Sequence, residues 1–234
     1  MTDTRPLPFG FDASDAVWPA DPGALGGTPT AGDGSPSETD GRRLRRAVNR
    51  EAVVDALLDL YHQGNLRPST DDIAERAGIS PRSLFRYFDD ADDLAGEAVT
   101  RQLGRAIHLL PIDVDPDAPF DARTAALVDQ RLRLFTALGP AAHVYRLRAP
   151  FQPRLATSLT EGRRFLRSQV RTLFAAELAS MPDGRAEAAL SSADVLTSFE
   201  SYQLLTGDQG FDLADARSVL IDALTALLTP RVAR

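Results

Sequence analysis

Four side chains in one short run are placed to act together. On a helix that advances about 100° per residue, Arg82, Ser83, Arg86 and Tyr87 fall within an arc of about 140°. Leu84, Phe85 and Phe88 cluster within about 100° on the other side. One face is therefore expected to pack and the other to stay free. The free face offers two guanidiniums, a hydroxyl and a phenol. These groups hydrogen-bond phosphates and base edges, and arginine grips guanine in a bidentate fashion. The pattern points to reading a DNA groove.

The elements that must position these groups are marked by local signals. The run from Ile73 to Phe88 reads IAERAGISPRSLFRYF. Gly78 sits where one helix must stop, because glycine enters the left-handed conformation without a steric cost. Ser80 caps the next helix and Pro81, with its preset φ, takes that helix's first turn. Upstream, Ser69 or Thr70 followed by Asp72 approximates a capping box. A first helix is expected from about Arg42 to Gln63, opening with Arg42, Arg43, Arg45, Arg46 and Arg50, and a fourth from about Ala91 to Ile107. Positive charge is unfavourable at a helix N-terminus, a cost that a polyanionic partner would offset. The expected nucleic-acid contacts are Arg42, Arg43, Arg45, Arg46, Ser69, Thr70, Ser80, Arg82, Ser83, Arg86 and Tyr87.

The stretch from Arg50 to Leu94 resembles the DNA-binding domain of the TetR family of bacterial transcriptional regulators. The residues that carry the resemblance are Val53, Val54, Ala56, Leu57, Leu60 and Tyr61, then Gly64 and Thr70, then the string Asp72 to Gly78, and finally Ser80, Ser83, Leu84, Phe85, Phe88 and Leu94. The chain departs from the family's usual tyrosine at Phe85. It also reads Asp89-Asp90-Ala91-Asp92-Asp93 where a lysine often opens the fourth helix. The resemblance implies an all-α protein, with an N-terminal helix-turn-helix DNA-binding domain and a C-terminal helical domain for ligand binding and dimerisation. It implies a homodimer on a palindromic operator, acting as a repressor and released by a small apolar or amphipathic effector. A regulator that works without a ligand, through DNA and protein partners alone, is the alternative.

Charge and composition fit that reading. The net charge is −7, but residues 1–40 account for −6 of it, and the stretch from Arg42 to Phe88 holds nine arginines against six acids. A modest basic patch on a nearly neutral body suffices for phosphate contact and makes affinity steeply salt-dependent. Residues 1–41, rich in Gly, Pro, Asp, Ser and Thr, are expected to form a disordered acidic tail. Domains are expected at 42–108 and 119–234, divided by a segment with prolines at 111, 116 and 119. Cysteine is absent, so neither disulfides nor thiolate chemistry is available. No signal peptide and no run of about eighteen apolar residues is evident, which predicts a cytoplasmic protein without a membrane partner.

Enzymatic motifs are missing. His62, His108 and His143 lie on different expected helices and form no paired metal-ligand motif; no nucleophile elbow or phosphate loop is present. A non-enzyme without cofactor or metal is the expectation. Beyond Pro119, helices are expected at about 120–138, 141–147, 153–179, 184–205 and 213–228. The last two have broad apolar faces, so a four-helix dimer seam is expected to include Phe199, Leu220, Leu224 and Leu227. In the resembling family the short helix around His143 borders the effector cavity. Gln130, His143, Tyr145, Arg146, Ser198 and Tyr202 are therefore the expected polar groups of an apolar pocket.

Overall fold

The structure is a computed structural model that describes residues 38–182 and 184–229, with side chains from residue 45 onward. All regular elements among the described residues are helical. They are α1 (Glu38–His62), α2 (Thr70–Ala77), α3 (Pro81–Leu84), α4 (Ala91–Ala106), α5 (Phe120–Arg148), α6 (Pro153–Leu173), α7 (Ala175–Ala179), α8 (Arg185–Leu196), α9 (Phe199–Gln203) and α10 (Leu213–Leu228). The all-α expectation holds. The expected tail at 1–41 lies outside the described residues apart from its last four, which open α1 earlier than the expected start at Arg42. None of the described helices is long and apolar enough to cross a membrane.

The first four helices form a head around Val53, Val54, Leu57 and Tyr61 of α1, Ile73 of α2, Leu84, Phe88, and Leu94 and Ala98 of α4. Two further members of that core, Ala141 and Val144, come from α5. They reach it because α5 is broken in the middle. Gly139 has φ 50° and ψ −145°, a backbone that side chains disfavour, and Pro140 cannot donate the next helical hydrogen bond. The segment before the break belongs to the second domain, and the segment after it packs against the head.

The second domain is a bundle of α5, α6, α8 and α10. Leu127 and Val128, Val170 and Phe174, Leu190 and Ala193, and Leu220, Leu224 and Leu228 fill its core. A smaller cluster, Ala106, Leu110, Leu134, Phe135, Leu138, Ala142 and Phe199, joins the end of α4 to α5 and α9. Its rings Phe135 and Phe199 meet edge to face with centroids 5.6 Å apart. Two expected helices are each divided. The one expected at 153–179 breaks at Phe174, a fully buried residue with φ −114° and ψ 29°. The one expected at 184–205 stops at Leu196; Ser198, in extended backbone, accepts from Ser201 N at 3.2 Å and starts α9. A π turn over Leu204–Asp208 follows.

Candidate nucleic-acid interface

Local rules set the geometry of the head's reading element. Ser69 caps α2, its hydroxyl accepting from Asp72 N at 3.1 Å while Asp72 accepts from Ser69 N at 2.8 Å. That backbone bond holds the Asp72 carboxyl below its ordinary pKa. Gly78, at φ 68°, ends α2 with its N–H turned to the carbonyls of Ala74 and Glu75. Ser80 then caps α3, accepting from Ser83 N at 3.3 Å, and its hydroxyl lies 2.9 Å from that of Ser83. Thr70 is half-buried in the first turn of α2, while Ser69 and Ser80 are exposed. The serines are thus structural caps first, each worth about 1 kcal/mol.

The reading face differs from expectation in two places. α3 closes after Leu84, and the chain continues to Phe88 through turns in which Arg86 N bonds to Ser83 O and Tyr87 N to Leu84 O. The helical angle no longer applies there, and Phe85, expected on the packing side, is 55% exposed beside exposed Arg82 and Arg86. Tyr87, expected on the free face, is half-buried, and its hydroxyl accepts from Asn49 Nδ2 at 3.0 Å. Arg46 of α1 donates to the carbonyl of Arg86 at 3.1 Å, so α1 and the reading turn meet at two points. Arg45 and Arg46 are exposed, whereas the side chains of Arg42 and Arg43 lie outside the described residues.

Ion pairing sorts the head's arginines. Arg50 pairs with Glu97 and stacks over Phe88, Arg76 faces Asp59, and Arg101 and Arg105 share Asp55. Among the described residues no carboxylate pairs with Arg82 or Arg86. The acids after the reading turn have internal work: Asp90 caps α4 by accepting from Asp92 N and Asp93 N, and Asp92 pairs with Arg148. Unopposed positive charge is therefore left on the face that carries Arg82, Phe85 and Arg86.

Deeper in the molecule, where α4, α5 and α6 meet, lies a partly open apolar cavity of about 50 Å³. Leu103, Ile107, Leu134, Phe135 and Leu166 are among its walls, together with Tyr145, Arg146 and Arg163. Of the six polar groups expected to converge on a pocket, only Tyr145 and Arg146 line it. Gln130 is fully buried and instead donates to the carbonyls of Leu109 and Leu110. His143 pairs with the Gln203 amide, and Ser198 is spent as the cap of α9. Tyr202 stacks on Phe135 and Phe199, with its hydroxyl 3.3 Å from that of Thr136. Arg163 escaped the sequence reading, since an arginine on an amphipathic helix looks like a solvated one. Arg131 is also unanticipated: it is 1% exposed, burial pushes its pKa down to about 9, and it donates to Gln130, Gln169 and the carbonyl of Leu166.

The expected dimer residues need a similar correction. Phe199, Leu220 and Leu224 are at most 3% exposed because they pack into the apolar clusters of the single chain. Leu227 alone of the four borders an open groove between α8 and α10, with Val195, Leu196, Ala223 and Ala226. Among the described residues no group of three or more His, Cys, Asp or Glu side chains could hold a metal.

With this geometry in place, comparison with known proteins defines the class. Residues 53–98 match the family of bacterial regulatory proteins, tetR family, over the N-terminal domain. The head is therefore a TetR-type DNA-binding domain, and a DNA-binding role in transcription regulation is supported for the chain through that domain. Its fold is similar to a tetR-family transcriptional regulator from Streptomyces coelicolor, at 19% identity and a TM-score of 0.61, over 77% of this chain and 80% of that one. A transcriptional regulator from Rhodococcus sp. Rha1 is similar at 19% identity and a TM-score of 0.53, over 77% of this chain and 99% of that one. No protein of curated function matches the chain.

Proposed function

We propose that the protein is a cytoplasmic homodimeric repressor that reads a palindromic operator and releases it when a small molecule fills the cavity. The observation that carries this is the capped α2–turn–α3 unit that leaves Arg82, Phe85 and Arg86 exposed, the two arginines without a carboxylate partner among the described residues. Arg82 and Arg86 suit guanine edges, Phe85 suits a thymine methyl group, and Arg45 and Arg46 suit phosphates. Two heads would be joined across the groove between α8 and α10, reading half-sites about 34 to 36 Å apart or a multiple of that spacing.

The cavity lies against both α4 and the post-break part of α5, which packs on the head. A ligand that favours a different setting of these helices would weaken DNA binding, and DNA would weaken the ligand by the same factor. The test is to select the DNA fragments the protein retains and footprint the winning sequence with wild type and Arg86→Ala. A symmetric footprint lost in the variant supports the reading, and an unchanged one refutes it. The small volume of the cavity favours a second reading, a regulator that acts without a ligand. A small-molecule screen by thermal shift separates the two, since an effector stabilises the native state by mass action.

A further inference from the structure

We infer that the effector is a small carboxylate with an apolar body of one ring or a short chain, its charged end held by Arg146 and Arg163. The inference rests on the proposed effector reading and narrows it to a chemical class.

The charge of the cavity is one-sided. Its walls are apolar except for Tyr145, Arg146 and Arg163, and the charged residues in them are both arginines; Glu161, whose charge is felt at the Tyr145 hydroxyl, stands outside the lining. A single carboxylate, Glu200, serves both: Arg146 Nε bonds it at 3.0 Å and Arg163 Nη2 pairs with the same oxygen. Glu200 itself does not line the cavity. Two guanidiniums on one carboxylate leave a positive charge facing an apolar space, where an unbalanced charge is costly. Burial already pushes the Arg146 pKa down, which shows the direction of that cost.

Donors are also in surplus. Arg146 spends Nε on Glu200 and Nη1 on the carbonyl of Ala142, which leaves Nη2 without a partner among the described residues. The ring of Phe199, with its centroid 4.0 Å from the guanidinium carbon, fixes the plane of that group. The hydroxyl of Tyr145, the neighbouring lining residue, is buried and has no hydrogen-bond partner among the described residues; Ser158 is near enough to influence its acidity but not to reach bonding geometry. A carboxylate accepts from such donors at both oxygens, with bonds roughly twice as strong as those of a neutral acceptor. A neutral amide would bring its own donors to a site already rich in them, and an amine would be repelled.

The volume limits the body. About 50 Å³ holds roughly three to five waters, so the partly open cavity takes a body no larger than a single ring or a short chain, part of it in the mouth, and not a long acyl tail.

The experiment uses the full chain with benzoate and hexanoate, and with benzamide and hexanamide as neutral counterparts of the same shape. Calorimetry and thermal shift should show the acids binding and the amides binding at least about tenfold more weakly. Arg163→Gln, at a position 54% exposed and tolerant of change, should erase that preference for the acids. Leu166→Trp, checked for folding by circular dichroism, should block the cavity and abolish binding. If the amides match the acids and Arg163→Gln changes nothing, the carboxylate assignment is wrong. If no acid binds, it also fails, and toluene, a neutral probe of one ring, then decides the broader reading by calorimetry and thermal shift. Uptake of that probe by wild type and not by Leu166→Trp leaves an effector cavity standing, while no uptake by either removes both.

Discussion

The amide of Asn49 donates to the hydroxyl of Tyr87 across 3.0 Å, tying the first helix of the head to the turn that carries its exposed arginines. Because the tyrosine ring also packs against the head's core, this one bond fixes the exit of the reading turn. Asn49→Ala and Tyr87→Phe should each cost about 1 kcal/mol, and the double variant little more than either alone. Urea denaturation in a double-mutant cycle measures this, and fully additive losses would show that the two groups do not act together.

Phe85 and Arg86 should behave as readers, and Arg45 as a grip on the backbone. Arg86→Ala is expected to cost about 1 to 3 kcal/mol on the preferred site and to relax one base position. Phe85→Ala should lose preference at a thymine with fold stability intact, because the ring is 55% exposed. Arg45→Ala should weaken all DNA alike and lower the salt slope by about one unit. Competition titrations at several salt concentrations separate the three patterns. Unaltered selectivity in Phe85→Ala would remove that ring from the reading face.

Two substitutions on neighbouring helices should have opposite outcomes. Val195 is 65% exposed beside the α8/α10 groove, whereas Leu224 is fully buried. Val195→Arg should yield a folded monomer, and Leu224→Arg should cost about 4 kcal/mol or more and unfold the second domain. Analytical ultracentrifugation with circular dichroism reads both. A Val195→Arg protein that remains dimeric places the seam elsewhere.

The ion pair of Arg123 and Glu177 predicts a pH dependence. Arg123 Nη2 meets Glu177 Oε1 at 2.5 Å with side chains 9% and 14% exposed, and Phe120 and Phe174 flank the guanidinium. The hydrogen bond from Arg123 holds the Glu177 carboxyl below its ordinary 4.5. The contribution to stability is therefore full above about that pH and fades as pH falls through the depressed folded value. Glu177→Ala should cost about 3 kcal/mol at neutral pH and flatten the acid limb of the stability curve. Denaturant midpoints from neutral to acid pH test this; an acid limb as steep as that of wild type would assign the dependence to other groups.

The head was legible because short-range rules set its joints. Ser69 with Asp72, Gly78, and Ser80 with Pro81 each act within one turn, and each stands where the sequence places it. Phe85 was misplaced because a helical angle was carried one residue past the point where α3 closes. The break before α9 was hidden by apolar residues that continue across it; Ser198, a cap residue three positions before Ser201, was the available signal. In the cavity, Tyr145 and Arg146 came through the family resemblance. Arg163 and Arg131 could not, since their settings depend on Glu200 and on Gln169, each more than thirty residues away in sequence.

The broken fifth helix has a consequence for how the molecule melts. Ala141 and Val144, beyond the Gly139–Pro140 break, fill the same core as Val53, Leu57 and Tyr61. A fragment ending at residue 108 would lack two of its interior side chains and open a void where they belong. Head and bundle are then one cooperative unit: heat should dissolve them in a single calorimetric transition, and an amide of α1 should exchange its hydrogen no faster than one in the first half of α5.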